Sequence, residues 1–300
     1  EGRACPAVSL YVDVDRATFA IRGTDSRLEN VPIAANLRHH DVDVLNERFA
    51  AGDHAGDGPF VPELWFLHGF ARTLEAARGK GPTGSGDRIE YSFHVEDDRV
   101  RIEPRKRGAP LDFLVAELMI YANSTWGRLL DERGAAAIFR AQSPGARVRM
   151  TTAAAEHQGL GVSHYAWSTS PLRRYVDLVN QWQLRAVLQG EPPPFAAGSE
   201  ALLAALRDFE VTYAAYDEFQ RHMEHYWCLR WLVQEKVSLA PTVVLRDNLV
   251  KFADLPLFVR VPSLTGLEPG SEAIVEIEEI DLIDTQMRCV YKKIQQQETA

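Results

Sequence analysis

From Glu200 to about Lys236 the chain runs without a proline or a glycine, and from 240 to 294 it holds only short runs of strand type. So long a stretch free of helix breakers predicts one continuous helix, and the abrupt change behind it predicts a second kind of unit. The later runs are Thr242 to Leu245, Leu257 to Val261, Ala273 to Ile280 and Met287 to Tyr291. Four or so strands in about 55 residues point to a small barrel of OB type.

Ahead of the long helix the pattern is mixed. Ala7 to Val12 alternates like a strand, Asp13 to Arg16 reads as a turn, and Thr18 to Ile21 alternates again as a hairpin return. Glu63 to Ala77 has helical spacing and stops at Arg78-Gly79-Lys80-Gly81, a glycine-terminated end with cations in the last turn. Ile89 to Val95 and Arg99 to Pro104 form a second hairpin across Glu96-Asp97-Asp98. Leu111 to Arg133 and Pro171 to Leu188 are further helices. The reading is an α+β chain with long helices over residues 1–236, and a small barrel over 237–300.

Composition narrows the class. The chain has 300 residues, 46% hydrophobic and 25% charged, which excludes collagen-like, coiled-coil and disordered chains. No apolar run approaches the roughly 18 to 20 residues of a membrane helix, and no basic segment followed by an apolar one opens the chain as a signal peptide would. Cys5, Cys228 and Cys289 make no C-x-x-C pair, which excludes a structural zinc site of the usual spacing. Their odd number fits a reducing compartment, so the expectation is a cytoplasmic protein, taken as a monomer. The first residue is Glu1 and a strand follows almost at once, so further sequence is expected upstream.

The formal net charge is −9, which argues against a protein that coats nucleic acid indiscriminately. The charge is uneven, however. Residues 140–190 carry six arginines (Arg140, Arg147, Arg149, Arg173, Arg174, Arg185) against Glu156 and Asp177, while 254–300 carry nine acids against four bases. A groove needs only a local positive surface, so the overall sign does not decide.

The stretch richest in chemistry is Tyr165-Ala166-Trp167-Ser168-Thr169-Ser170-Pro171-Leu172-Arg173-Arg174-Tyr175-Val176-Asp177. Ser170 as N-cap and Pro171 at the first helical position predict a helix start. Arg173 and Arg174 would then lie in the first turn, where cations oppose the helix dipole, and a local rule broken in this way tends to mark function. One reading is an anion site made of free backbone N–H groups, the hydroxyls of Ser168, Thr169 and Ser170, and two guanidinium groups. The other is that Asp177, four residues after Arg173 and three after Arg174, simply pairs with them.

The same stretch resembles the C-terminal part of the catalytic domain of the ribonuclease II family, the RNB-type 3′-to-5′ exoribonucleases. That family carries Tyr, Thr/Ser, Thr, Ser, Pro, Ile/Leu, Arg, Arg/Lys, Tyr, x, Asp at this point. His157-Gln158-Gly159-Leu160-Gly161 and the helix Leu114 to Asn123 also fit. The resemblance covers residues 1 to about 236, and the barrel behind looks like the family's OB-type RNA-binding domain. It implies a mixed-sheet catalytic domain that hydrolyses single-stranded RNA with magnesium and releases nucleoside 5′-monophosphates. It further implies that Arg173 contacts the phosphate under attack, stabilising charge on the phosphoryl oxygens, and that Glu117 lies beside the 3′-terminal nucleotide. Ser168, Thr169, Ser170, Arg174 and Tyr175 would bind RNA with them. Tyr91 and Phe93 align with strand aromatics of the family, and their composition reads as core.

Departures from the pattern are as informative. The family clamps the terminal base between two aromatic side chains. One such position falls at about His39, whose imidazole still stacks on a base but less extensively than phenol. The other falls near Ser85, and a position usually held by Glu is Gln220. The aspartate cluster of the magnesium site has no counterpart: the acid pairs are Asp13/Asp15, Asp41/Asp43, Asp97/Asp98 and Asp281/Asp284, and the first and third sit in hairpin turns. No metal ligand is therefore assigned in this chain, and the upstream part of the same polypeptide is expected to supply the magnesium site. His222 and His225 at i, i+3, and His39-His40-Asp41, are weaker metal candidates than packing residues. Arg105-Lys106-Arg107 reads equally as an RNA-facing run or a solvated turn. No Gly-rich phosphate loop and no G-x-S-x-G elbow occurs. The expectation is the C-terminal part of a 3′-to-5′ exoribonuclease. The competing reading is an RNA-binding module without catalysis, and the third is an acidic scaffold.

Overall fold

The computed structural model describes residues 2–37, 39–53, 60–80, 89–106 and 108–292, with the side chains at 39–41, 105 and 106 outside the description. Two compact units divide the chain: one takes residues 1–87 and 107–213, the other 88–106 and 214–300. Helices and antiparallel sheets alternate in the first unit, and a five-stranded barrel dominates the second.

The first unit opens with a hairpin, β1 (Ala4–Val14) against β2 (Ile21–Pro32). Its turn is longer than the alternation at Thr18 predicts, because Asp15 folds it. The Asp15 carboxylate accepts from the backbone N–H groups of Ala17 and Thr18 at 3.0 and 2.9 Å, and it also pairs with Arg22. Helices α1 (His39–Ala50), α2 (Val61–Ala77) and α3 (Pro110–Glu132) follow. Leu45 and Phe49 of α1, Val61 of α2, and Leu111 and Leu114 of α3 share one core. Helix α3 also packs Trp126 and Leu130 against Phe139 of β5 (Phe139–Ala141), which pairs with β6 (Arg149–Thr151), and against Leu184 of α4 (Tyr175–Gln189). Every strand pairing in named strands is antiparallel, with one isolated parallel bridge between Gln142 and His157.

Helix α4 begins at Tyr175, not at Pro171 as the Ser-Pro pair predicts. Residues 171–173 form a separate turn, in which the Ser170 carbonyl accepts from the N–H groups of Arg173 and Arg174 at 3.2 and 3.1 Å. Arg174 is extended (φ −129°, ψ 116°), so the chain leaves the turn before it enters the helix. Asp177, in the first turn of the helix, reaches back and accepts from the Ser170 N–H at 2.8 Å, which ties the turn to the helix start. Gly190, at φ 69°, closes the other end in the left-handed conformation that glycine adopts without strain.

In the second unit, α5 (Glu200–Gln234), which begins in the first unit, ends against the barrel and β3 (Ile89–Glu96) pairs with β4 (Arg99–Lys106). The barrel strands are β7 (Leu239–Arg246), β8 (Leu249–Phe252), β9 (Phe258–Arg260), β10 (Glu272–Asp281) and β11 (Gln286–Lys292), hydrogen-bonded in the order β11-β10-β7-β8-β9. β9 lies beside β11, so the barrel is nearly closed. Strand β8 has no separate counterpart in the sequence pattern; it is four residues long and follows directly on the turn at Asp247 and Asn248. The core holds Val244, Val250, Leu257, Val261, Val275 and Cys289, with Cys228 and Leu232 from α5 and Phe93 and Ile102 from the hairpin. Phe93 is thus a packing residue, as its composition suggests, and Tyr91 is half-buried beside it in sequence. Burial pushes the Cys228 thiol up to about 12 and the Cys289 thiol to about 11, so both stay protonated at neutral pH.

Buried amides hold the first unit's loops in place. Asn180 is fully buried; its Nδ2 donates to the carbonyls of Ile138 and Trp167 at 2.9 and 2.8 Å, and its Oδ1 accepts from the Ile138 N–H at 2.8 Å. Gln183, also fully buried, joins Ala136 to both backbone groups of Phe195. Asn180→Ala leaves three buried backbone groups without partners and is expected to cost about 3 kcal/mol or more. Urea unfolding should show this as a lower midpoint with an unchanged slope.

Candidate functional site

The site grows out of residues 165–174, which run between β6 and α4 with their backbone clamped from α3 and α4. The Ser168 N–H donates to Asn123 Oδ1 at 2.8 Å, and its carbonyl accepts from Gln181 Nε2 at 2.7 Å. The Ser168 side chain is fully buried and donates to the Ala166 carbonyl, so it faces the interior and not a ligand. The Thr169 hydroxyl accepts from Asn123 Nδ2 at 3.3 Å, and both Thr169 and Ser170 reach a cleft on the surface. Trp167 is buried and flanked by two guanidinium groups, Arg140 at 3.8 Å and Arg174 at 3.9 Å from the ring centroid. Burial pulls Arg140 below the ordinary guanidinium value.

The two neighbouring arginines have different surroundings. Arg174 forms a two-pronged bond with the fully buried Asp177, Nε and Nη2 each at 2.7 Å, and only 12% of its side chain is exposed. For this residue the ion-pair reading of the sequence is the right one. Arg173 is exposed, and its nearest polar partner is the Ser170 hydroxyl at 3.5 Å. Among the described residues no carboxylate pairs with it. Neither arginine lies in a helical first turn. Tyr175 opens α4 with its ring half in solvent, edge-on to Trp182.

Arg173 lines a cleft of about 980 Å³ between the β1–β2 hairpin and α4, together with Thr169, Ser170, Gln181, Trp182 and Arg185. Trp182 went unnoticed in the sequence because its neighbours read as ordinary helix. The only sequence signal is the i, i+4, i+8 row Gln181, Arg185, Gln189, which puts one polar stripe beside it.

Glu117, which the family resemblance places beside the 3′-terminal nucleotide, lies elsewhere in the first unit. It is buried and held by Arg78, whose Nη2 lies 2.5 and 2.6 Å from its two oxygens. Burial pushes the Glu117 carboxyl up, against the opposing pull of Arg78. Arg78 also donates to the Leu160 carbonyl, and Gly161, at φ 69°, lies against the Arg78 backbone carbonyl where no Cβ fits. Arg78 Nε is buried without a partner among the described residues. The sequence shows Arg78 only as a helix-end cation. Its pairing with a residue 39 positions on is a tertiary contact that no local pattern displays.

Nearby in sequence, His157 is buried, with Nδ1 accepting from the Leu160 N–H at 3.3 Å. Its neutral ring therefore carries the proton on Nε2. Burial, then the charge of Arg140, lowers its pKa.

Of the other candidates, His39 opens α1 with its side chain outside the described residues, and Ser85 lies outside them altogether. Gln220 is exposed and bonded to Glu224 at 2.9 Å. His222 is exposed and His225 faces the Thr285 carbonyl at 3.0 Å. No group of three His, Cys, Asp or Glu able to hold a metal occurs among the described residues. One acid in each of three of the four pairs has other employment. Asp15 holds a turn, Asp98 pairs with Arg230, and Asp281 accepts from the N–H groups of Ile283 and Asp284. The donor set does not fit a magnesium ion. The run Arg105-Lys106-Arg107 lies outside the described side chains.

Two consequences are measurable. Arg78→Ala strands a buried carboxylate and should cost about 3 to 5 kcal/mol, whereas Arg78→Met with Glu117→Leu should recover most of it; thermal unfolding of the three proteins reads this directly. A depressed imidazole binds its proton more readily in the unfolded chain, so stability should fall as pH drops below about 6.5 toward the native value of His157. His157→Gln should flatten that part of a pH–stability curve.

Residues 146–190, which contain the arginine segment, match the RNB domain. Over 272 residues the chain is 30% identical to an uncharacterized ribonuclease of Synechocystis, covering 82% of this chain and 39% of that protein. Over 38 residues it is 53% identical to exoribonuclease 2 of Haemophilus ducreyi, 13% of this chain and 6% of the relative. The fold matches apo RNase R of Mycoplasma genitalium with a TM-score of 0.77 at 12% identity, over 97% of this chain and 58% of that one. It also matches yeast Ssd1, described as a pseudonuclease, with a TM-score of 0.62 at 15% identity, over 92% of this chain and 41% of that one. The chain thus spans well under two thirds of the length of these relatives. Within that span, the match of the arginine segment, the Synechocystis relative and the shared fold together support an RNB-type ribonuclease family for this chain.

Proposed function

We propose that this chain is the C-terminal part of a hydrolytic 3′-to-5′ exoribonuclease, cytoplasmic and monomeric, that holds single-stranded RNA while nucleoside 5′-monophosphates are released one at a time. The observation that carries the reading is Arg173: a guanidinium with no carboxylate partner among the described residues, held at the rim of a cleft by a segment whose neighbouring Arg174 and Ser170 N–H are bonded to buried Asp177. Such a group is available to a phosphate, and its charge would stabilise the oxygens of a scissile one. Arg174, by contrast, serves the segment's shape. The magnesium that the family resemblance implies has no fitting carboxylates among the described residues, so the reading assigns its ligands to sequence outside this chain.

A second reading, an RNA-binding module without catalysis, is favoured by one observation: Glu117, the expected neighbour of the 3′-terminal nucleotide, has both oxygens engaged by Arg78.

The test is a gel with 5′-labelled single-stranded RNA and the full chain, in magnesium or EDTA. A retarded band without shortening, weakened about tenfold by Arg173→Ala, is expected. Arg174→Ala should instead lower the melting temperature, since it leaves Asp177 buried and unpaired. No retarded band from a folded chain would overturn the reading. Shortening that needs magnesium would overturn the assignment of the metal ligands to sequence outside this chain.

A further inference from the structure

Trp182 is 39% exposed on α4, although a tryptophan of a helix packed on a core is mostly buried. It is not loose. The Phe195 ring lies nearly parallel to it (18°, centroids 6.3 Å apart), and Tyr175 meets it edge-on (84°, 6.3 Å). Phe195 is in turn fixed through both its backbone groups by buried Gln183. The indole is therefore anchored on its protein side, and its exposed remainder lines the same cleft as Arg173.

One turn further along α4, Arg185 lines that cleft too. Its Nε donates to Gln189 at 2.9 Å, and among the described residues no carboxylate pairs with it. The carboxylate that reaches this cleft, Glu29, is bonded by the Tyr11 hydroxyl at 2.9 and 3.0 Å. An anchored aromatic ring that shares one cleft with two guanidinium groups is the kind of surface by which proteins hold single-stranded nucleic acid without regard to sequence: stacking for a base, cations for the phosphates. The cleft volume lies at the upper end of the range for small-ligand pockets.

We propose that this cleft is a second nucleotide subsite for single-stranded RNA, in which Trp182 stacks a base and Arg185 takes a phosphate adjoining the one that Arg173 contacts. The inference rests on the function proposed above but assigns residues that the motif does not contain.

The experiment is equilibrium binding of fluorescent oligo(A) to the full chain across a range of salt, with Trp182→Ala, Trp182→Phe, Arg185→Gln and Arg173→Ala. Trp182→Ala should weaken binding about tenfold at every salt concentration, the effect of one lost base stack. Trp182→Phe should restore much of it. Arg185→Gln should make the slope of log affinity against log salt shallower by about 0.7, the value of one phosphate contact on a single strand. An oligomer with abasic residues throughout should bind wild type and Trp182→Ala alike. Should that oligomer also distinguish the two, Trp182 acts through the fold and the subsite is overturned. Normal binding by the Trp182 and Arg185 variants, with a loss confined to Arg173→Ala, would overturn the subsite and leave the proposed function standing. No binding by wild type would overturn both.

Discussion

The Asp177 carboxylate is fully buried, and the geometry of the arginine segment depends on it. One oxygen accepts the Ser170 N–H and both engage Arg174. A buried carboxylate is tolerable only when its charge is matched and its lone pairs are occupied, and here both conditions are met by residues three and seven positions earlier. Held in this way, the Arg174 guanidinium lies over Trp167, 3.9 Å from the ring centroid, and Arg140 lies 3.8 Å from the same ring. The turn 171–173 is then left projecting, with Arg173 and a fully exposed Leu172 at its tip. The site is an outcome of what the interior consumes: the cation left over is the one that can meet a ligand.

This division explains which parts of the molecule were readable from sequence. Periodicity located α2, α3, α5 and four of the barrel strands within a few residues, since each has one face buried over several turns or pleats. It missed α1, whose apolar positions are few, and β8, which is four residues long. It placed the start of α4 four residues early, since Ser170-Pro171 is a good local cap and only the tertiary bond to Asp177 makes it a turn instead. The motif pointed to both arginines, but spacing alone could not say which was paired. Glu117 is a similar case: nothing near it in sequence announces Arg78. Asn123, Asn180 and Gln183 looked like polar helix residues, and only their complete burial shows that they tie loops together.

Charge is arranged on the same principle. Many of the acids behind the formal charge of −9 are employed locally. On β10, Glu276 pairs with Lys292, and Glu278 and Glu279 pair with Arg288 across the strand. Asp15, Asp98 and Asp281 serve turns and an ion pair. The cleft of the first unit keeps two cations that no carboxylate pairs with among the described residues. A negative total and a local phosphate-binding surface are therefore compatible, because a ligand meets the field of its own groove and not the sum over the molecule.

The cysteines carry a consequence for how the molecule opens. Cys228 and Cys289 sit in the barrel core with thiols that stay protonated, while Cys5 is exposed on the first hairpin. Alkylating reagents attack the thiolate, so the two core positions are shielded twice, by access and by protonation. Each molecule thus contains an internal clock. Capture of Cys5 marks the moment of exposure to reagent, and capture of the other two marks local opening of the second unit, whatever the first unit is doing. The chain's own sulfur atoms thus report the opening of the second unit without any introduced probe.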